Sequence, residues 1–193
     1  MRAKPFGLRA GVILLAVLLA ASGCASGART DAMIVAGSPD TVTGNASPLR
    51  SAIRVDVVTG GAETNPLWKS NVSTDNFRAA LGESLTRNGM TASGQGRYLL
   101  NAELVSLDRP FAAFDTTVTA KVHYTIVTAG VAAGSQAIKL DETIETPYMV
   151  KFSDTVYGPE RFRLASEGAM RDNIDAIIKR MIAAAQPGGP LSL

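Results

Sequence analysis

The side chains that most often carry chemistry are scarce in this chain: one histidine, His123, and one cysteine, Cys24, among 193 residues. Acyl transfer needs a nucleophile with a positioned base, and histidine is the commonest base. His123 stands between Lys121 and Thr125 on the polar side of an alternating run, the place of a solvated or sheet-covering histidine. A zinc site needs several His, Cys or carboxylate ligands at short spacing, so no metal site is expected. Paired carboxylates can do acid–base work without histidine. Asp141 and Glu142 are adjacent and take opposite faces of a regular strand, whereas Glu145 shares the face of Asp141 two steps on. Glu63, Asp141 and Glu145 are the candidates for a carboxylate-dependent enzyme; solvated sheet charges are the other reading. Gly60-Gly61 fits neither phosphate-binding glycine pattern. No catalytic residue is assigned and no cofactor is implied.

Cys24 carries a different chemistry. Before it lie Arg2, Lys4 and Arg9, an apolar run from Val12 to Ala21, and the small residues Ala21-Ser22-Gly23. A charged start, a short apolar stretch and a small-residue exit describe a secretory signal over residues 1–23, too short to span a bilayer. The sequence Leu19-Ala20-Ala21-Ser22-Gly23-Cys24 resembles the lipobox of bacterial lipoproteins. That resemblance implies cleavage before Cys24, a diacylglyceryl thioether on its sulfur and an acylated (palmitate-type) amine. Two or more acyl chains, at about 0.8 kcal/mol per buried methylene, hold a protein stably at a membrane without spanning it. The alternative for Cys24 is a small apolar core residue.

Without residues 1–23, 19 basic residues become 16 against 17 acidic ones, a formal charge of −1. The basicity belongs to the signal. A near-neutral surface without a Lys/Arg stripe excludes nucleic acid as the expected partner, since phosphate neutralisation supplies most of that affinity. Residues 24–50 are rich in Ala, Ser, Gly, Thr, Asn and Pro and read as a flexible tether with a mean reach of roughly 25 Å. Met33-Ile34-Val35 within it also fits an edge strand.

The domain is expected over residues 51–186. Ile53 to Val58 alternates apolar and polar residues as a half-buried strand. After Gly60-Gly61 and a loop through Trp68, Ser73 or Thr74 can cap a helix whose Phe77, Leu81 and Leu85 share one face, stopped by Asn88-Gly89. Three strands follow: Tyr98–Leu107, Thr117–Ile126 and Ile138–Tyr148, the last two read as a hairpin. Glu142 interrupts the apolar stripe of the fourth strand. A second helix starts at Gly158-Pro159-Glu160 and runs to Ala184 or Ala185, with Pro187 to Pro190 ending it and residues 187–193 read as disordered.

This order, β-α-β-β-β-α, predicts an α+β two-layer sandwich: a mainly antiparallel four-stranded sheet with two helices on one face. Lipobox and architecture together resemble the small periplasm-facing lipoproteins of Gram-negative bacteria, including lipopolysaccharide-assembly lipoproteins and the auxiliary lipoproteins of lipid-trafficking ABC transporters. The resemblance is specific at the lipobox and architectural elsewhere. It implies a non-enzymatic role, binding a protein partner or lipid in envelope assembly or transport. Ala25 after Cys24 implies the outer membrane, with the inner membrane as the other location. The candidate partner or ligand contacts are Thr64, Asn65 and Trp68 on the first loop and Phe111 and Phe114 on the loop before the third strand. For Trp68 and the two phenylalanines, packing into the core is the competing placement. A lipid carried between the second helix and the sheet is the alternative function.

Overall fold

The computed structural model describes residues 26–63, 71–109, 114–130 and 137–192. Its strands are β1 (Ile53–Thr59), β2 (Tyr98–Asp108), β3 (Thr116–Thr128) and β4 (Ile138–Val150), in spatial order β1-β2-β3-β4. The helices are α1 (Thr30–Met33), α2 (Thr74–Arg87) and α3 (Gly158–Ala184). The crossover through α2 returns the chain in the direction of β1, so β1 and β2 pair parallel. Short connections make β2–β3 and β3–β4 antiparallel. The predicted α+β two-layer sandwich is the fold.

Period-2 patterning is obeyed best in β3, where Val118, Ala120, Val122, Tyr124 and Ile126 are all fully buried. They meet Ala165, Ala169, Ile174, Ile177 and Met181 of α3, a helix apolar enough on one side to cover β3 and β4. In α2, Ser73 Oγ accepts from the Asn76 amide at 3.2 Å, and Phe77, Ala80, Leu81 and Leu85 are buried. Gly89, at φ +71°, makes the left-handed stop. The alternation read in β1 fails halfway: the register slips between Val55 and Val58, so Val57 is exposed and Val58 turns inward. The Val57 amide, taken out of the ladder, donates to Asn101 Oδ1 at 3.1 Å.

Two segments depart from the compositional reading. Residues 26–50 are packed, not a flexible tether: after α1 they form two 3-10 turns, Pro39–Thr41 and Gly44–Leu49, and bury Met33, Val35, Val42, Ala46 and Leu49. The edge-strand alternative is also overturned, since Met33 ends α1 and the Val35 amide donates to Ser84 Oγ of α2 at 2.9 Å. The folded unit therefore starts well before residue 51. The described part of the tail is ordered as well. Leu191 is fully buried, its amide donates to Ala184 O at 2.9 Å, and Tyr98 donates its hydroxyl to Leu191 O at 3.4 Å. Among the described residues no helix is long and apolar enough to cross a membrane.

Candidate contact surface

The strand directions decide which loops meet. β1, β2 and β4 end, and β3 begins, at the same end of the sandwich, where α2 and α3 also start. The connections β1–α2, β2–β3 and β4–α3 therefore all emerge there. Side chains tie them together: Asn71 Nδ2 donates to Glu63 O at 2.7 Å, Arg109 Nη2 to Asn71 Oδ1 at 3.3 Å, and the Phe152 amide to Asp115 Oδ1 at 3.0 Å.

An apolar rim projects from this end. Phe114 is 71% exposed and Val156 74% exposed, and Met149, Phe152 and Tyr157 are also open to solvent. Large apolar groups held in water at one place are unusual on a folded surface and mark contact sites. Two of them are held by their neighbours. Phe114 and Phe152 meet edge to face with ring centroids 6.1 Å apart. The guanidinium of buried Arg161 lies 5.0 Å over the Phe152 ring, donates to Thr155 O at 2.8 Å and reaches Thr116 Oγ1 at 3.3 Å. Asp154 closes the turn by accepting the Lys151 amide at 3.1 Å.

The N-terminal segment joins the body at this same end. The Ala28 amide donates to Asn71 O at 3.0 Å, and Asn76 Nδ2 donates to Ala28 O at 2.8 Å. Arg29 then crosses to α3, giving its amide (2.8 Å) and its Nε (3.3 Å) to Glu167 Oε1. Glu167 is buried and also takes Arg163 Nη1 at 2.5 Å, while Arg163 reaches Glu160 with its other nitrogens. That hydrogen bond holds the Glu160 carboxyl below its ordinary range. A hollow of about 330 Å³ lies alongside, lined by Arg29, Tyr148, Asp154, Glu167 and Arg171.

The sheet face away from the helices carries the polar residues. His123 Nε2 and Asp141 Oδ1 are 2.6 Å apart, and Lys121 Nζ lies 2.7 Å from Glu145 Oε1, which raises the Lys121 pKa above its ordinary value. Each of these side chains is more than a third exposed, so each pair is weak. A groove of about 380 Å³ runs past Val57, Thr59, Asn101, Glu103, His123 and Thr125. A histidine oriented by a carboxylate can move a proton, and the groove sets the Thr59 and Thr125 hydroxyls, the Asn101 amide and the Glu103 carboxylate around it. Asp141 and Glu145 go to different partners, His123 and Lys121, and do not converge. Glu142 faces the helix layer, with Arg180 Nε at 3.6 Å, which accounts for the break in the stripe of β4. Glu63 is exposed in the β1–α2 connection.

Of the contacts predicted from sequence, Thr64, Asn65, Trp68 and Phe111 lie outside the described residues, as do Cys24 and residues 1–23. Phe114 is described and is turned outward, not into the core. The sequence reading missed Met149, Phe152, Val156 and Tyr157. The available signal was an aromatic-bearing stretch, residues 151–157, between the end of a strand and the proline that opens a helix.

No family model matches the chain, and no curated protein matches it. Solved structures do. A candidate lipoprotein from Caulobacter crescentus CB15 is 17% identical, with a TM-score of 0.49 over 74% of this chain and 98% of that one. A Xanthomonas campestris protein of the DUF330 family is 8% identical, with a TM-score of 0.47 over 70% of this chain and 87% of that one. A hypothetical protein from Chlamydia trachomatis is 11% identical, with a TM-score of 0.46 over 69% of this chain and 97% of that one.

Proposed function

We propose that this chain is a lipid-anchored, non-enzymatic module of the cell envelope, held at the outer membrane through acylated Cys24 and facing the periplasm, that serves envelope assembly or lipid transport by contact. The observation that carries this reading is the gathering of Phe114, Phe152, Val156 and Tyr157 in solvent, with Phe114 and Phe152 braced by each other and by Arg161, at the end where the N-terminal segment joins the body. A braced apolar rim does nothing for a freely tumbling domain and suits one that works against another surface. Surface contact is favoured over lipid carriage between α3 and the sheet because that interlayer is filled by side chains. A Cβ added at Gly168, for instance, would stand 2.4 Å from the Tyr148 ring.

Two sets of replacements in cells lacking the native copy separate contact from turnover. Phe114→Ser with Val156→Ser should fail to restore the envelope's resistance to detergent, at a normal level of protein. Glu63→Gln, His123→Ala, Asp141→Asn and Glu145→Gln should each restore it. The reverse pattern would establish an enzyme of the sheet face and remove the contact reading.

A further inference from the structure

We infer that the occupant of the apolar loop end is the lipid leaflet itself: the rim sits in the headgroup layer of the membrane that holds Cys24, fixing the domain against it in one orientation. This rests on the acylation of Cys24 proposed above.

Reach is the first argument. Ala28 is fastened at both its N–H, which donates to Asn71 O, and its carbonyl, which accepts from Asn76 Nδ2, at the loop end. Cys24 precedes it by four residues, which span about 14 Å when fully extended. Acyl chains in a leaflet therefore keep the loop end within about 14 Å of the interface, whatever the intervening residues do. The domain has no slack with which to stand off.

Asymmetry is the second. Among the described residues, five of the eight exposed large hydrophobics, Phe114, Met149, Phe152, Val156 and Tyr157, lie at this end, whereas Val57, beside Asn101, and Ile138 lie in the opposite half of the sheet. A free-floating protein has no reason to sort them so. Their chemistry also suits the water–lipid boundary, where aromatic rings with a polar edge settle: Tyr157 carries a phenol, and Phe152 lies under the Arg161 guanidinium with Phe114 against its edge.

Charge is the third. Lys151 and Arg161 are matched near the rim by Asp115 and Asp154, whose carboxylates each accept a backbone amide. Without a net basic patch, attraction to anionic lipid is not the means of attachment. Insertion of apolar side chains is, and neutral phospholipid suffices.

Because Cys24 is the only cysteine and its sulfur carries the lipid, any introduced cysteine is the one free thiol. The full-length acylated protein is reconstituted in phosphatidylcholine vesicles with a nitroxide label on Val156→Cys or Phe114→Cys. Ser93→Cys, exposed at the opposite end between α2 and β2, is the reference. Collision with dissolved oxygen against a water-soluble nickel complex reads depth. The rim labels should lie on the order of 5–10 Å into the headgroup layer, and the Ser93 label in water. Adding Phe114→Asp to the Val156→Cys protein should return that label to water. All these sites are exposed, so the fold is not at stake.

Rim labels as water-accessible as the Ser93 label, in protein whose intact mass includes the acyl chains, overturn the orientation and leave the anchor standing. Rim labels protected in native membranes but not in pure lipid vesicles also overturn it and assign the rim to a protein. A mature mass without acyl chains overturns the anchor, and the orientation with it.

Discussion

Tyr124 carries its hydroxyl into the centre of the fold and depends on Asn173 to satisfy it. The hydroxyl donates to Asn173 Oδ1 at 3.0 Å. Asn173 Nδ2 in turn donates to Ile144 O and Thr146 Oγ1, each at 3.0 Å, and Thr146 Oγ1 donates to Ala169 O at 2.8 Å. One polar chain thus stitches β3 to β4 and both to α3. Burial raises the Tyr124 pKa far above its ordinary value, so the phenolate belongs to the unfolded chain. The consequence has a definite sign. The stabilisation is complete below the unfolded pKa of about 10 and is lost as pH rises above it, at about 1.4 kcal/mol per pH unit for one proton. Tyr124→Phe should cost about 1 kcal/mol at neutral pH by stranding Asn173 Oδ1. Above pH about 10 its urea-unfolding free energy should fall more gently than the parent's, by one proton. Parallel alkaline limbs would show that the phenol ionises inside the fold. The buried position of Tyr124 was readable from alternation. Its partner was not, because a single asparagine in a helical stripe carries no mark of facing inward.

Two glycines inside helices make opposite predictions from the same chemistry. A Cβ at Gly82 of α2 meets nothing within 4 Å, so Gly82→Ala should gain the full helix-propensity difference, about 0.5–1 kcal/mol, and raise Tm. At Gly168 of α3 the added carbon would collide with the Tyr148 ring. Gly168→Ala must then lift the helix from β4 or expel the ring, an overpacking cost of about 1–3 kcal/mol that outweighs the propensity gain and lowers Tm. If both variants shifted Tm the same way, the close seating of α3 on the sheet would be wrong. Legibility at this scale follows the range of the signal. Helix caps and the alternation of β3 are written in neighbouring residues and were read correctly. The bulge in β1 and the pairing of His123 with Asp141 arise from cross-strand register, which exists only once β2 lies beside β1 and β4 beside β3, and no local pattern encodes it.

At the scale of the whole molecule, the segment before β1 decides how much slack separates Cys24 from the domain. Its composition argues for disorder, and that argument is sound for a chain that must bury its own surface. It does not hold for a strap laid on a core already built by other elements, where Met33, Val42 and Leu49 need only join that core to be fully buried. Polar locks fix the path, from Arg29 on Glu167 to the Val35 amide on Ser84 and Arg50 Nη2 on Val42 O at 2.7 Å. Each large apolar side chain so buried contributes about 1.5–3 kcal/mol, against a net stability of about 5–15 kcal/mol for a domain. Deleting residues 26–50 while keeping the anchor should therefore abolish cooperative thermal unfolding and expose the faces of α2 and α3 to a hydrophobic dye. A flexible tether could be deleted at no cost to Tm, so a sharp melt near the parent's temperature would restore that reading. It would also return about 25 Å of slack between the proposed anchor at Cys24 and the domain, and with it the freedom to turn any face toward a membrane.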